Sequence, residues 1–129
     1  KAAAPPRPTV VPPVCIGAYG EQIGLPLVGR LADVWNSSIQ GNEQRWLMKR
    51  DIMRASAEKA GRDPQSIEIS LTIERSLPTN DLESQQFIDD LMHLRELDVR
   101  HFVMDFGHPK STEPVLRFVE QVMQPINAK

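Results

Sequence analysis

Val14-Cys15-Ile16-Gly17-Ala18-Tyr19-Gly20-Glu21-Gln22-Ile23-Gly24-Leu25-Pro26-Leu27-Val28-Gly29-Arg30-Leu31-Ala32 changes its period partway along, and that change decides the fold. The stretch opens on a short apolar run, Val14-Cys15-Ile16, and passes through a glycine-rich turn. From Glu21 to Ala32 the apolar residues Ile23, Leu27, Val28 and Leu31 recur at helical spacing. That is strand, turn, helix. Pro26 fits only the first turn of the helix, where a missing N–H leaves nothing unbonded that would otherwise be paired, so the helix starts near Gly24.

The unit repeats downstream. Val34-Trp35-Asn36 reads as a second strand. Asn42 then caps a helix running from Glu43 to Ala60, with Trp46, Leu47, Met53 and Ala57 on one side and Gly61 at its stop. Ile67, Ile69, Leu71 and Ile73 alternate with Glu68, Ser70, Thr72 and Glu74, the period-two signature of a third strand. Asn80 or Asp81 caps a helix through Leu97, whose apolar side holds Phe87, Ile88, Leu91 and Leu94. His101-Phe102-Val103-Met104-Asp105-Phe106 forms a fourth strand. Ser111 opens a last helix, with Val115, Leu116, Val119, Val122 and Met123 expected to face inward.

Strands alternating with helices imply a parallel sheet with right-handed crossovers. Periodicity leaves two architectures open: an open doubly wound sheet and a half-barrel. Upstream, residues 1–13 carry Pro5, Pro6, Pro8, Pro12 and Pro13 and read as an extended lead-in, which leaves 14–129 as the β/α domain. A chain of 129 residues has the length of one domain, whereas a whole eight-stranded barrel takes ~250 residues. At 40% apolar and 25% charged, it has the makings of a core. The formal net charge of −2 and the lack of a Lys/Arg stripe argue against nucleic acid as a partner. One cysteine, Cys15, permits no internal disulfide and predicts a reducing, cytoplasmic setting. No apolar stretch is long enough to span a bilayer, and no leading apolar segment suggests secretion, so no membrane partner is expected.

Pro12-Pro13-Val14-Cys15-Ile16-Gly17-Ala18-Tyr19-Gly20-Glu21, followed by Leu27-Val28-Gly29-Arg30-Leu31-Ala32-Asp33-Val34-Trp35-Asn36, resembles the bacterial-luciferase-like monooxygenase family. That family shows a Pro-Pro-x-x-x-Gly-Gly-x-Gly-Glu turn and then a helix ending in Ala-Asp-Gly-Trp-Asn or a close variant. The likeness extends to Ala60-Gly61-Arg62-Asp63-Pro64, to the late strand at Phe102 to Phe106, and to the closing helix at Glu120 to Ile126. It implies an α/β fold, a (β/α) barrel of the TIM type present as a C-terminal half-barrel of about four β/α units. It also implies redox chemistry on FMN or a deazaflavin, in which the cofactor does the hydride transfer or oxygen activation.

By the same resemblance, Ala18, Tyr19, Gly20, Glu21 and Gly24 would hold the cofactor's phosphate and ribityl chain. A strand-to-helix turn offers free N–H groups and the positive end of the helix dipole. The sequence departs from the family pattern in two ways: Ala18 stands for the second glycine, and Gln22, Ile23 and Gly24 replace the cation or threonine common early in the helix. Glycines at such a turn also serve simply to reverse the chain. Trp35, Asn36, Ser37 and Ser38 would lie at the C-terminal end of the second strand, where barrels carry their substrate pockets, and packing accounts for Trp35 equally well. Catalytic residues are not identified by pattern; His108, after the fourth strand, is the one titratable candidate. His93 and His101 read as structural or surface residues, and Glu74 and Arg75 are expected together on one face at the end of the third strand. The histidines and the cysteine give no metal-ligand spacing.

The expected function is therefore the C-terminal part of a flavin- or deazaflavin-dependent oxidoreductase acting on a small molecule and inactive alone. The alternatives are a non-enzymatic open α/β module and a degenerate flavin-binding paralogue. A half-barrel exposes two strand edges and an inner face, so self-association or a complementary half-barrel is expected.

Overall fold

A computed structural model describes residues 9–39 and 41–128. Of the proline-rich lead-in, residues 1–8 lie outside the described residues, and Thr9 to Pro13 runs exposed, with neither helix nor strand. Four strands follow in chain order: β1 (Cys15–Gly17), β2 (Val34–Ser37), β3 (Glu68–Glu74) and β4 (Val99–Asp105). They form one parallel sheet in the order β1-β2-β3-β4. Between them run α1 (Gly24–Leu31), α2 (Glu43–Lys59) and α3 (Asp81–Glu96), with a single 3₁₀ turn at Pro64–Ser66. After β4 come α4 (Glu113–Phe118), a π-helical stretch at Val119–Met123, and α5 (Gln124–Asn127).

The strand order separates the two architectures. A doubly wound sheet reverses its order partway, which sends helices to both faces. Strands added one after another with right-handed crossovers keep every helix on one side. The burial of the side chains matches the second pattern. Trp35, Ser37, Ile69, Leu71 and Val99 are buried on the helix side, with Phe102 and Met104 half-buried beside them. Their alternate neighbours Cys15, Glu68, Glu74, His101, Val103 and Asp105 are exposed. An α/β fold with a four-stranded parallel sheet and one helical layer fits a partial TIM-type barrel.

Helix boundaries follow from local chemistry. Pro26 sits in the first turn of α1, as expected. Asn42 caps α2 by accepting the Arg45 N–H at 2.9 Å, and Asn80 caps α3 by accepting the Glu83 N–H at 2.9 Å. Gly61, at φ 73°, ends α2, with the Arg62 N–H donating to the Ala57 carbonyl and the Gly61 N–H to that of Glu58. Gly29 is where α1 touches α2. A Cβ there would stand 2.5 Å from the Met53 carbonyl oxygen and 2.7 Å from the Ala57 nitrogen, so only glycine lets the two backbones meet. The Arg62 side chain closes the same corner, donating to the Gly29 carbonyl at 3.0 Å and to that of Ala32 at 2.8 Å.

Several expectations change. The last helix opens at Glu113 rather than at Ser111, and α1 buries Leu25, Val28 and Gly29 while Ile23, Leu27 and Leu31 stay exposed. β4 starts at Val99, not His101, because the pairing slips between Ile69 and Ser70 and leaves Arg100 as an extra residue in the strand. In the last helical segment Val115 and Val119 are half-buried and Val122 is buried, but Leu116 is 60% exposed and Met123 44%. The buried residues are Phe118, Val122 and Ile126, four apart. A strict four-residue repeat drifts around an α-helix, and the wider π turn at Val119–Met123 takes up the drift. Phe118 then packs edge-on against both Phe87 and Phe106.

Candidate functional site

Two regions carry polar groups that the fold does not use for its own closure. The first is the turn between β1 and α1. Trp35 Nε1 donates to the Ala18 carbonyl at 3.0 Å and ties the start of the turn to the core, while the Leu25 N–H donates to the Gly20 carbonyl at 2.8 Å and ties its end to α1. The N–H groups of residues 19–23 between these ties have no protein acceptor among the described residues. Ile23, at the N-cap, offers no side-chain cap. The turn thus presents bare amides at the positive end of α1. Gly20 and Gly24 have room to differ: a Cβ on Gly20 would meet nothing nearer than 3.8 Å, whereas one on Gly24 would press on Ala18 Cβ at 3.1 Å.

The second region is the helix-free face of the sheet. Thr72 Oγ1 donates to Asn36 Oδ1 at 3.2 Å, and Asn36 Nδ2 donates to Ser70 Oγ at 3.1 Å. Ser70 Oγ in turn lies 3.1 Å from His101 Nδ1. These four residues make one row across β2, β3 and β4. With Asn36 donating to it, the Ser70 hydroxyl keeps one proton to give and one lone pair to accept with, so it meets His101 Nδ1 in either tautomer of the ring. Ser70 is buried beneath its neighbours, while the His101 residue stays exposed. Around the row lie Glu68, Glu74 and Asp105, so this face is polar rather than lined by the bulky aliphatic layers that fill a closed barrel. The uncovered face and the two open strand edges, at β1 and β4, are both present among the described residues.

The residues expected to line a substrate pocket are not brought together. Asn36 faces the helix-free side. Trp35 and Ser37 point into the helix layer and are fully buried; Trp35 stacks on Trp46 at 5.9 Å, and Trp46 Nε1 donates to Ser37 Oγ at 2.9 Å. Alternation along a strand compels this split. Ser38 lies at the strand tip, where it rims a cavity of about 410 Å³ between β3 and α3 and accepts a hydrogen bond from the Tyr19 hydroxyl at 3.2 Å. Glu74 and Arg75 also part company: Glu74 takes the open face, whereas Arg75 pairs with Asp90 and lies over the Phe87 ring at 4.5 Å. His108 is exposed and makes no hydrogen bond among the described residues. His93 bonds Glu43 at 2.8 Å, and that carboxylate holds its imidazole above the usual histidine range. His101 is the residue sequence reasoning passed over. Among the described residues no group of three or more His, Cys, Asp or Glu side chains is placed to hold a metal ion, and no helix is long and apolar enough to cross a membrane.

A singly wound parallel sheet with one helical layer and bare amides at the tip of its first strand is the α/β architecture of a partial TIM-type barrel. The model of the luciferase-like monooxygenase family matches residues 1–120, and the chain belongs to that family. Proteins of this family generally bind flavin cofactors, and the membership points to flavin-dependent oxidoreductase function. No curated protein matches the chain.

Proposed function

We propose that the chain is the C-terminal part of a flavin- or deazaflavin-dependent monooxygenase or other oxidoreductase, a half-barrel of about four β/α units that supplies the cofactor's phosphate site and part of a substrate pocket. The observation that carries this is the β1–α1 turn, where residues 19–23 hold their amide hydrogens free at a helix N-terminus. A phosphate monoester fits such a turn without any cationic side chain, because several N–H groups and the helix dipole act on the dianion together. When bound, the flavin or deazaflavin supplies the hydride or oxygen chemistry.

This chain's residues do the rest. Ala18, Tyr19, Gly20 and Glu21 receive the phosphate, with Gly24 keeping the floor of the turn low. Trp35 fixes the turn by holding the Ala18 carbonyl, so it acts on the ligand through the backbone. Asn36 borders the substrate space on the open face, with His101 beside it in the same polar row. The chain is inactive by itself until a second half-barrel, another copy or another segment, completes the site in the cytoplasm.

FMN and a deazaflavin, each titrated against the chain and followed by visible absorbance, test this directly. Gly20→Val fills the turn with its Cβ no nearer than 3.8 Å to the Gly24 nitrogen, so affinity should fall at least about tenfold, or about 1.4 kcal/mol, with helical content by circular dichroism unchanged. Equal affinity in the two proteins would remove the turn from cofactor binding. Turnover with reduced cofactor then separates an enzyme from a protein that binds flavin without using it.

A further inference from the structure

Beside the glycine turn, on the helix side of the strand tips, Tyr19, Ser38, Asn42, Arg45, Trp46 and Lys49 enclose a cavity of about 140 Å³. Its lining is rich in donors and contains no carboxylate. The Tyr19 hydroxyl already donates to Ser38 Oγ at 3.2 Å, which frees the Ser38 proton for another acceptor. The Asn42 side-chain oxygen is taken by the Arg45 N–H at 2.9 Å, which leaves the Asn42 amide nitrogen as a donor. Lys49 Nζ stands 5.3 Å from the centre of the Tyr19 ring.

The charges here run against helix electrostatics. Arg45 lies in the first turn of α2, where the helix dipole disfavours a cation, and Lys49 lies one turn on. They are spaced i,i+4, which sets like charges side by side. Neither joins any of the ion pairs among the described residues, and Glu43, the acid of that first turn, bonds His93 instead. A bound anion relieves both penalties at once. At ~30 Å³ per water in the liquid, the cavity holds roughly four or five water-sized groups, the size of a tetrahedral oxyanion.

We propose that this cavity is a phosphate site in its own right, with Arg45 and Lys49 supplying charge and Ser38 and Asn42 supplying neutral hydrogen bonds. It meets the glycine turn only at Tyr19, and it stands whether or not a flavin binds there. The occupant is a phosphate other than the one the cofactor places in the glycine turn.

The test uses the whole chain labelled with ¹⁵N and titrated with inorganic phosphate at constant ionic strength. Saturable shifts are expected in the amides of Tyr19, Ser38 and Asn42 to Lys49 and in the Trp46 indole N–H. Arg45→Gln with Lys49→Gln should weaken that affinity at least about tenfold through loss of charge-assisted hydrogen bonds. Arg45→Lys, which keeps the charge, should weaken it less, and Gly20→Val should leave it unchanged, which separates this site from the cofactor turn. Shifts that never saturate, that map elsewhere, or that survive the double substitution would overturn the proposal. If FMN, titrated into the phosphate-saturated chain, leaves these shifts in place, the cavity takes a phosphate separate from the cofactor's. If FMN reverses them and riboflavin does not, the single phosphate of FMN competes for the cavity and the separate site is overturned.

Discussion

Replacing Gly29 by alanine sets two opposing effects against each other at one position. Gly29 lies inside α1, where alanine stabilises a helix by about 1 kcal/mol relative to glycine. Helix propensity alone therefore predicts a more stable protein. The structure predicts the reverse. The new methyl would sit 2.5 Å from the Met53 carbonyl oxygen, 2.7 Å from the Ala57 nitrogen and 2.8 Å from Ser56 Cβ. Contact between carbon atoms is optimal at about 3.5–4.0 Å, so α1 and α2 must part by roughly 1 Å. Two of the three neighbours are backbone atoms and cannot turn aside. The separation also draws Leu25 and Val28 off their packing and stretches the Arg62 hydrogen bond to the Gly29 carbonyl, now 3.0 Å. Overpacking of this kind costs about 1–3 kcal/mol, and backbone contact places it at the upper end. After the propensity gain, a net loss of about 2 kcal/mol remains. For a chain of this length that lowers Tm by roughly 6–10 °C. Urea and thermal unfolding followed by far-ultraviolet circular dichroism measure it. A Tm equal to or above that of the parent would refute the close-contact argument.

Two further outcomes follow from the same contacts. Arg62→Met keeps the aliphatic stem but withdraws both hydrogen bonds from the last carbonyls of α1; a loss of about 1.5–3 kcal/mol is expected from the urea midpoint, since one charged donor serves both. His93 has its pKa raised by the Glu43 hydrogen bond and charge, so the folded state holds the proton more tightly than the unfolded chain. The resulting stability is fully present below the ordinary histidine pKa of 6.5 and is lost as pH rises through the higher folded value. Both groups are exposed, so the slope is shallow, and Glu43→Gln should remove it from a series of urea midpoints taken across neutral pH.

The repeat of strand and helix was open to sequence reading because each element carries its own period and its own stop. Asn42, Gly61 and Asn80 all act locally, and their roles follow from neighbours within a few residues. The start of β4 did not show itself because the extra residue Arg100 interrupts alternation between Val99 and Phe102, so a regular pattern begins only at His101. The inward face of the last helix was misassigned at Leu116 and Met123 because a π turn has no distinct sequence period. The row from Thr72 to His101 depends on register between strands that lie far apart in the chain. Ser70 faces His101 only once the slip at Ile69 is known. A lone histidine gives no hint of that partner. For Trp35 and Ser37 the signal was present, since strand alternation sets them opposite Asn36, yet neighbours in sequence were grouped as neighbours in space. The strand-to-helix turn at Gly17 to Gly24 was legible from its glycines, whereas its phosphate role comes from the family resemblance. Arg45 and Lys49 read as ordinary helix-surface cations until the fold brought Tyr19 and Ser38 to them.

Glu74 and Asp105 stand side by side on neighbouring strands of the open face, with Glu68 farther down the same sheet. Any wall that closes over them must strip water from carboxylates, and that is affordable only if the incoming surface brings donors or cations of its own. An aliphatic lining, however well shaped, would be rejected. The open face thus discriminates by charge, before shape is consulted, among whatever surfaces could cover it.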